Sequence, residues 1–297
     1  PDQVIVGAGT EYLYGLLIQL LGRDKVYCLE DPGYAKVAQI YRSCGAVCRW
    51  AEMDRDGISL RGIGDAGADV LHISPTHHFP TGITMPIGRR YELLRWVGAA
   101  PSRYIIEDDY DSEFRLTGHP VPSLQSIDTE GRIIYMNTFS KTLASTIRIS
   151  YMILPPALAN EYYRRLAFYS CTVSTFEQYT LARFLSDGYF EKDINRMRLS
   201  YGRLRKQILR ELASGPLADH AEILERDSGL HFLLKLRTEQ SDDRLHGALL
   251  DKGINLLPLS LYYQDPSSAP QHTFVLNYSS LSSEELRFAM EILSDLI

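Results

Sequence analysis

Ile105-Ile106-Glu107-Asp108-Asp109-Tyr110-Asp111-Ser112-Glu113-Phe114-Arg115 ends a strand-like apolar run in a cluster of acids with one tyrosine. Apolar residues that give way abruptly to carboxylates mark the carboxyl end of a buried strand, where open α/β sheets bind their ligands. The acids at 109, 111 and 113 also alternate like calcium ligands. That reading fails, because the loop's obligatory glycine position is Phe114 and no bidentate Glu follows at the proper distance.

The surrounding text supplies the rest of such a sheet. Glu11 to Leu21 carries Leu13, Leu16, Leu17, Leu20 and Leu21 as one helical stripe. Lys25 to Glu30 reads as a strand stopped by Asp31-Pro32-Gly33, Tyr34 to Ser43 as a helix, and Ala46 to Ala51 as a strand. Ala68 to Ile73 is a buried strand, Arg89 to Ala99 a helix, and Tyr104 to Asp109 the strand quoted above. Arg132 to Met136 and Ile147 to Leu154 complete the series. Strands alternating with helices predict an α/β fold with a mainly parallel sheet. Beyond Pro155 the pattern changes. Ala157 to Arg210 is almost entirely helical, broken near Ser170-Cys171-Thr172 and Asp187-Gly188. Leu230 to Leu236, Ile254 to Tyr263 and Thr273 to Ser279 alternate like a small sheet, and the capping box Ser282-Ser283-Glu284-Glu285 opens a last helix to Ile297. The expected division is a large domain over residues 1–190 and a smaller α+β domain over 191–297.

Composition narrows the function. The 297 residues carry 31 Lys+Arg against 37 Asp+Glu, a net charge of −6, so this chain is not expected to grip a nucleic-acid backbone by itself. No apolar run approaches roughly 18 residues, which argues against a membrane span. Pro1 to Val6 lacks the basic and apolar regions of a signal peptide. Four cysteines make no disulfide framework, and reduced thiols of a cytoplasmic protein are the expectation. Cys44 and Cys48 suggest zinc only if His77 or His78 joined them, and no second pair exists to complete a site.

Chemistry concentrates in five places. Asn137-Thr138-Phe139-Ser140-Lys141-Thr142-Leu143 sets a lysine in a hydroxyl-rich turn just past a strand, and Arg148 follows seven residues on. An amine beside hydroxyls and an arginine suits a Schiff base to a phosphorylated aldehyde cofactor; an ordinary surface lysine is the alternative. In the acidic run, a carboxylate could hold the ring nitrogen of pyridoxal phosphate protonated, with a tyrosine near the ring oxygen. Val6-Gly7-Ala8-Gly9-Thr10-Glu11 precedes a helix and offers backbone N–H groups to an anion. It is no dinucleotide fingerprint, since the third glycine falls at Tyr12. Glu30-Asp31-Pro32-Gly33-Tyr34 sets an aromatic ring at a strand end, and Ser74-Pro75-Thr76-His77-His78-Phe79-Pro80-Thr81-Gly82 forms a rigid turn with two histidines.

Together these phrases resemble the fold-type I, aspartate-aminotransferase-like pyridoxal phosphate proteins. They resemble more closely the aminotransferase-like effector domain of MocR-type regulators, a branch of the GntR transcription factors. Glu30-Asp-Pro-Gly-Tyr34, Ser74-Pro-Thr-His-His-Phe-Pro-Thr-Gly82, Glu107-Asp-Asp-Tyr-Asp-Ser-Glu-Phe-Arg115 and Thr138-Phe-Ser-Lys-Thr-Leu143 stand in that branch's order and spacing. The resemblance implies that Lys141 forms the internal aldimine with pyridoxal 5'-phosphate, Asp108 pairs with the pyridine nitrogen, Tyr110 bonds the ring hydroxyl and Tyr34 stacks on the ring. It places Thr10, Glu11 (through its backbone N–H), Thr138, Ser140 and Arg148 around the phosphate, and His77 beside the ring.

Two positions depart from the aminotransferase pattern: Phe79 stands where those enzymes carry Asn, and Val275 where an Arg clamps the substrate carboxylate. Lys36 and Arg42 are the candidate replacement cations. The resemblance therefore favours a sensor over a free-standing aminotransferase, the second reading. Its effector would be an amine, an amino acid or pyridoxal phosphate itself. The start at Pro1, a few residues before the first phosphate turn, reads as a fragment lacking an N-terminal arm, a linker and a winged helix-turn-helix. DNA would be contacted only through that missing part, and the resemblance implies a homodimer.

Overall fold

The computed structural model describes residues 1–115, 121–224, 229–279 and 281–297. The chain begins with β1 (Val4–Ala8), α1 (Thr10–Leu21), β2 (Val26–Asp31), α2 (Ala35–Ser43), β3 (Val47–Asp54) and β4 (Gly57–Ile58). It continues through α3 (Leu60–Ala66), β5 (Val70–Ile73), α4 (Ile87–Gly98), β6 (Tyr104–Asp108), β7 (Ile133–Thr138) and β8 (Ile149–Ile153). Three helices follow, α5 (Pro156–Leu166), α6 (Thr175–Ser186) and α7 (Tyr189–Ser214). The remainder is β9 (Ala221–Ile223), β10 (His231–Leu236), α8 (Asp242–Leu250), β11 (Leu257–Pro258), β12 (Thr273–Asn277) and α9 (Ser283–Leu296).

Among the described residues the first sheet runs in the order β1-β8-β7-β6-β5-β2-β3-β4. β2, β3, β5, β6 and β7 pair in parallel, while β8 lies antiparallel to both β7 and β1. β1 therefore points the same way as β7. The carboxyl ends of β1, β2, β5, β6 and β7 all meet one edge, and β8 starts from that edge. Helices cover both faces. On one side Leu13, Leu16 and Leu17 of α1 pack with Val37 and Tyr41 of α2 and Leu158 and Tyr162 of α5. On the other, Ile63 of α3 and Leu93 and Val97 of α4 meet Leu71, Ile73 and Ile105. The predicted α/β class with a mainly parallel sheet is the class observed.

A second, antiparallel sheet has the order β11-β12-β10-β9. The period of two in β10 sends Phe232, Leu234 and Leu236 against Ile208 and Leu212 of α7, Leu245 and Leu249 of α8, and Leu286 and Met290 of α9. Leu233 faces the opposite way, beside Val275 in the register and against Leu259. The capping box at Ser282 and Glu285 starts α9, and both breaks expected in the helical stretch separate α5, α6 and α7.

Ile254 to Tyr263 differs from its expected strand: only Leu257 and Pro258 pair with β12, and Leu259–Tyr262 is a 3-10 turn. Pro258 has no N–H to extend the ladder. The sequence reading also passed over α3, because Gly62 and Gly64 weaken its helical signal. Ser59 nevertheless caps it by accepting from the Gly62 N–H at 2.9 Å, and Gly67 ends it in the left-handed region at φ 60.

The binding edge is pinned by a fully buried ion pair, Arg90 of α4 with Glu107 of β6 at 3.4 Å. Arg90 also donates to the carbonyls of Pro75 (2.9 Å), Met85 (3.2 Å) and Pro122 (3.1 Å), and Glu107 accepts from the N–H groups of Leu124 (2.8 Å) and Gln125 (2.9 Å). Removing one partner leaves the other charge buried and three carbonyls or two N–H groups unpaired. Arg90→Met is expected to lower stability by about 3–5 kcal/mol. Urea unfolding of Arg90→Met, Glu107→Gln and the double variant checks this, with the double loss smaller than the sum of the singles.

Candidate functional site

Five strand ends meeting at one edge bring five turns together over a cavity of about 460 Å³. That size suits a small-molecule ligand. Thr10, Glu11, Tyr34, Asp108, Tyr110, Thr138, Ser140, Lys141 and Arg148 all line it, joined by Leu230, His231, Gln264 and Asn277 from the second half of the chain. Of the residues expected around the cofactor, His77 alone lies outside this lining.

One end is built for an anion. Gly9, at φ 93, joins β1 to α1, whose N-terminus has no side-chain cap, so its first-turn N–H groups stay open to a ligand. A side chain at Gly9 would collide with Nη2 of Arg148. Arg148 reaches the Glu11 carboxylate at 3.4 Å, and Lys36 bonds the same carboxylate. The bond from Lys36 holds the Glu11 carboxyl below its usual range and raises the Lys36 ammonium. At the end of β7, Thr138 Oγ1 accepts from Ser150 Oγ at 2.8 Å and from the Ser140 N–H at 3.2 Å, while Ser140 Oγ donates to the Ile147 carbonyl at 3.0 Å. These bonds fold the 139–148 turn back on β8 and leave Lys141 exposed at the cavity.

The floor is acidic and dry. Asp108 Oδ2 accepts the Tyr14 hydroxyl and lies 3.3 Å from His72 Nε2, whose Nδ1 meets the Tyr41 hydroxyl at 2.7 Å. Asp108 Oδ1 is buried without a partner. Burial and the neighbouring Asp108 carboxylate push the Tyr14 phenol well above its usual value. Beside it, Glu30 accepts the Ser74 N–H at 3.0 Å and lies 3.4 Å from His78 Nε2 without making a hydrogen bond. Desolvation pushes Glu30 up to about 8, His78 down to about 3 and His231 down to about 4.

Tyr110 lines the cavity, but its hydroxyl donates to the His77 carbonyl at 2.8 Å. His77 stands one layer behind the wall, its Nδ1 2.8 Å from Oδ1 of Asp111, which does line the cavity. Tyr34 stands 54% exposed at the mouth, edge-on to Phe79 at 6.0 Å between ring centroids. Arg42 stacks over the Trp50 ring at 4.6 Å, and it does not line the cavity as Lys36 does. Among the described residues no group of three or more His, Cys, Asp or Glu could hold a metal ion, and no helix is long and apolar enough to cross a membrane.

The family model "Aminotransferase class I and II" matches residues 1–293. The chain belongs to this aminotransferase family. Family members depend on pyridoxal phosphate, the cofactor class for which a lysine, an anion cradle and a buried carboxylate are suited. The chain is similar to the uncharacterized HTH-type transcriptional regulator YdeL of Bacillus subtilis, 38% identical over 97% of this chain and 61% of that protein. It is also similar to the probable rhizopine catabolism regulatory protein MocR of Rhizobium meliloti, 34% identical over 97% of this chain and 58% of that one. The aminotransferase-family chain thus spans about three fifths of these relatives. An archaeal alanine:glyoxylate aminotransferase superposes with a TM-score of 0.84 at 25% identity, covering 100% of this chain and 75% of that chain. A multiple substrate aminotransferase of Thermococcus profundus gives 0.83 at 23% identity over 99% and 74%.

Both departures from the aminotransferase pattern fall in one place. Val275 and Leu233, from the second sheet, pack with Leu259, and Phe79 lies against that cluster. Tyr14, His72 and Glu30 are site residues that the sequence reading missed. His72 and Glu30 carried a signal, a polar side chain within an otherwise apolar strand; Tyr14 sits in an apolar helical stripe and carried none.

Glu30 and the two histidines act on stability in opposite senses. Glu30 binds its proton more tightly in the folded chain, with a value of about 8 against an ordinary 4.5, so its contribution is complete at low pH and lost as pH rises toward 8. His78 and His231 lie below the ordinary 6.5 when folded, so theirs is present above that value and lost as pH falls. Glu30→Gln is accordingly expected to flatten the loss of stability between pH 7 and 8, above the value of about 7 to which burial raises Glu107. Urea midpoints of the cofactor-free chain check this; an equal fall in both proteins would remove Glu30 as the cause.

Proposed function

We propose that this chain is the pyridoxal phosphate-binding, effector-sensing domain of a MocR-type transcription regulator, working in the cytoplasm as a homodimer. In this reading it passes the state of its cavity to an attached helix-turn-helix domain that contacts DNA. The observation that carries the cofactor assignment is Asp108: a carboxylate lining the cavity, braced by Tyr14 and His72, with Oδ1 buried and unpartnered. A buried acceptor with no donor costs about 1–3 kcal/mol, and a protonated pyridine nitrogen is the donor it lacks. The two relatives named above support the regulatory half, both being described as regulators.

Bound pyridoxal phosphate supplies an aldehyde that primary amines capture. Lys141 would hold the cofactor, and Tyr34, at the mouth, would cover its ring. Thr10 and Glu11 (through backbone N–H groups), Thr138, Ser140 and Arg148, which now pairs with Glu11, would hold the phosphate. Tyr110, its hydroxyl anchored to the His77 carbonyl, would border the cofactor ring, with His77 supporting it from behind.

Mixing the chain with pyridoxal phosphate is expected to produce the cofactor's visible absorbance band in the wild type and none in Lys141→Ala. Arg148→Ala should weaken binding roughly 10- to 100-fold, the worth of a hydrogen bond to a charged group. Unchanged affinity in that variant would move the phosphate elsewhere.

The dimer is supported by the surface next to this end of the cavity. Phe176 and Tyr179, 80% and 71% exposed, lie one turn apart on α6. The segment before α6 is bonded to the cavity edge, with Thr172 Oγ1 accepting the Ala8 N–H at 2.8 Å. Exposed aromatic patches of this kind mark association surfaces. Sedimentation of the holo protein should give a dimer, and the double variant Phe176→Glu, Tyr179→Glu a monomer.

A further inference from the structure

The cations that line the cavity among the described residues are Lys36, Lys141 and Arg148. Lys36 and Arg148 converge on Glu11 at the N-terminus of α1, the anion end, and Lys141 is the attachment point. The wall formed by Phe79 has a different character. Its ring meets Tyr262 and His231 edge-on at 5.2 Å each and Tyr34 at 6.0 Å. Behind it stand Leu233, Leu259 and Val275. Glu30, Asp108 and Asp111 line the same cavity. A carboxylate lodged against this wall would lose its hydration and face acidic neighbours, while Lys36, the cation beside Tyr34, is already paired with Glu11. An apolar or aromatic group would instead add another edge-to-face contact.

We infer that the ligand received beside the cofactor is a primary amine with an apolar, ring-sized body and no carboxylate, seated on Phe79. The inference rests on the cofactor reading above and narrows the effector from amines, amino acids or the cofactor itself to one class. Phe79 is then the specificity-determining residue of the site.

A matched pair tests it: 2-phenylethylamine and L-phenylalanine, which differ by one carboxylate, titrated calorimetrically into the holo protein while the cofactor absorbance is recorded. The amine is expected to bind at least about tenfold more tightly, a difference of about 1.4 kcal/mol. Phe79→Leu, which keeps an apolar side chain against Leu259 and Val275, should retain the preference, and Phe79→Asn should lose it. Equal or tighter binding of L-phenylalanine to a protein that carries the cofactor band overturns the inference and leaves the cofactor reading standing. A missing band with amine binding that still depends on Phe79 overturns the cofactor reading and supports the apolar seat. Binding of neither ligand, or a Phe79→Asn protein that discriminates like the wild type, overturns the inference.

Discussion

Arg90 and Glu107 meet where no water reaches, and the shape of the binding edge follows from how they satisfy one another. Arg90 ties carbonyls from both arms of the 75–85 turn and from residue 122 to a single guanidinium, and Glu107 gathers the N–H groups of residues 124 and 125. Arg is suited to this because its planar fork presents donors in several fixed directions at once. A buried pair adds little net stability over apolar side chains of the same shape. What it supplies here is geometry: the next residue along β6 is Asp108, and the turn held by Arg90 carries His77, His78 and Phe79.

Electrostatic layering then follows from the sheet. Parallel strands converge their ends, β8 returns from the same edge, and so the N-terminus of α1, the hydroxyls of Thr138 and Ser140 and the guanidinium of Arg148 share one end of the cavity. The carboxylates at the ends of β2 and β6 share the floor. Water is scarce there, so each floor group is governed by its few fixed partners. Asp108 is braced by a phenol and an imidazole, whereas Glu30 has one backbone donor and is driven toward its neutral form. Desolvation, with a single backbone donor to oppose it, is what pushes the Glu30 carboxyl up.

The large sheet was legible in the sequence because most of its strands are nearly uninterrupted apolar runs, several ended by Pro, Gly or acids; Asp31-Pro32-Gly33 and Ser74-Pro75 are examples. The helical stretch was legible through its breaks, since Gly188 adopts the left-handed region between α6 and α7. Elements made by tertiary contact were not: α3 holds two glycines, and Leu257–Pro258 joins the sheet only because β12 lies beside it. At the site, residues that must touch the ligand stood out by type, namely a lysine, an arginine and hydroxyls in turns. Residues that brace them, such as Tyr14, did not, because a tyrosine packed in a leucine stripe looks the same whether or not its hydroxyl has work. His77 was placed beside the ring because its phrase is distinctive, but adjacency to Phe79 in sequence does not put its side chain on the same wall.

The position of His77 gives it a different part to play. Gly229 runs so close that a Cβ there would sit 2.6 Å from Asp111 Oδ2 and 2.7 Å from His77 Nδ1. Tyr278 of the second half donates to the Gly229 carbonyl at 2.5 Å, and His231, two residues on, borders Phe79. The histidine–carboxylate pair, the glycine backbone and the aromatic wall thus form one joint between the halves of the chain, and Tyr110, which lines the cavity, is bonded to the carbonyl of the same His77. A ligand that presses on Phe79 or shifts Tyr110 therefore works against this joint directly. A close-packed interior offers little soft surrounding to absorb such a shift, so in the proposed sensing role this joint is the contact through which the cavity bears on the second sheet.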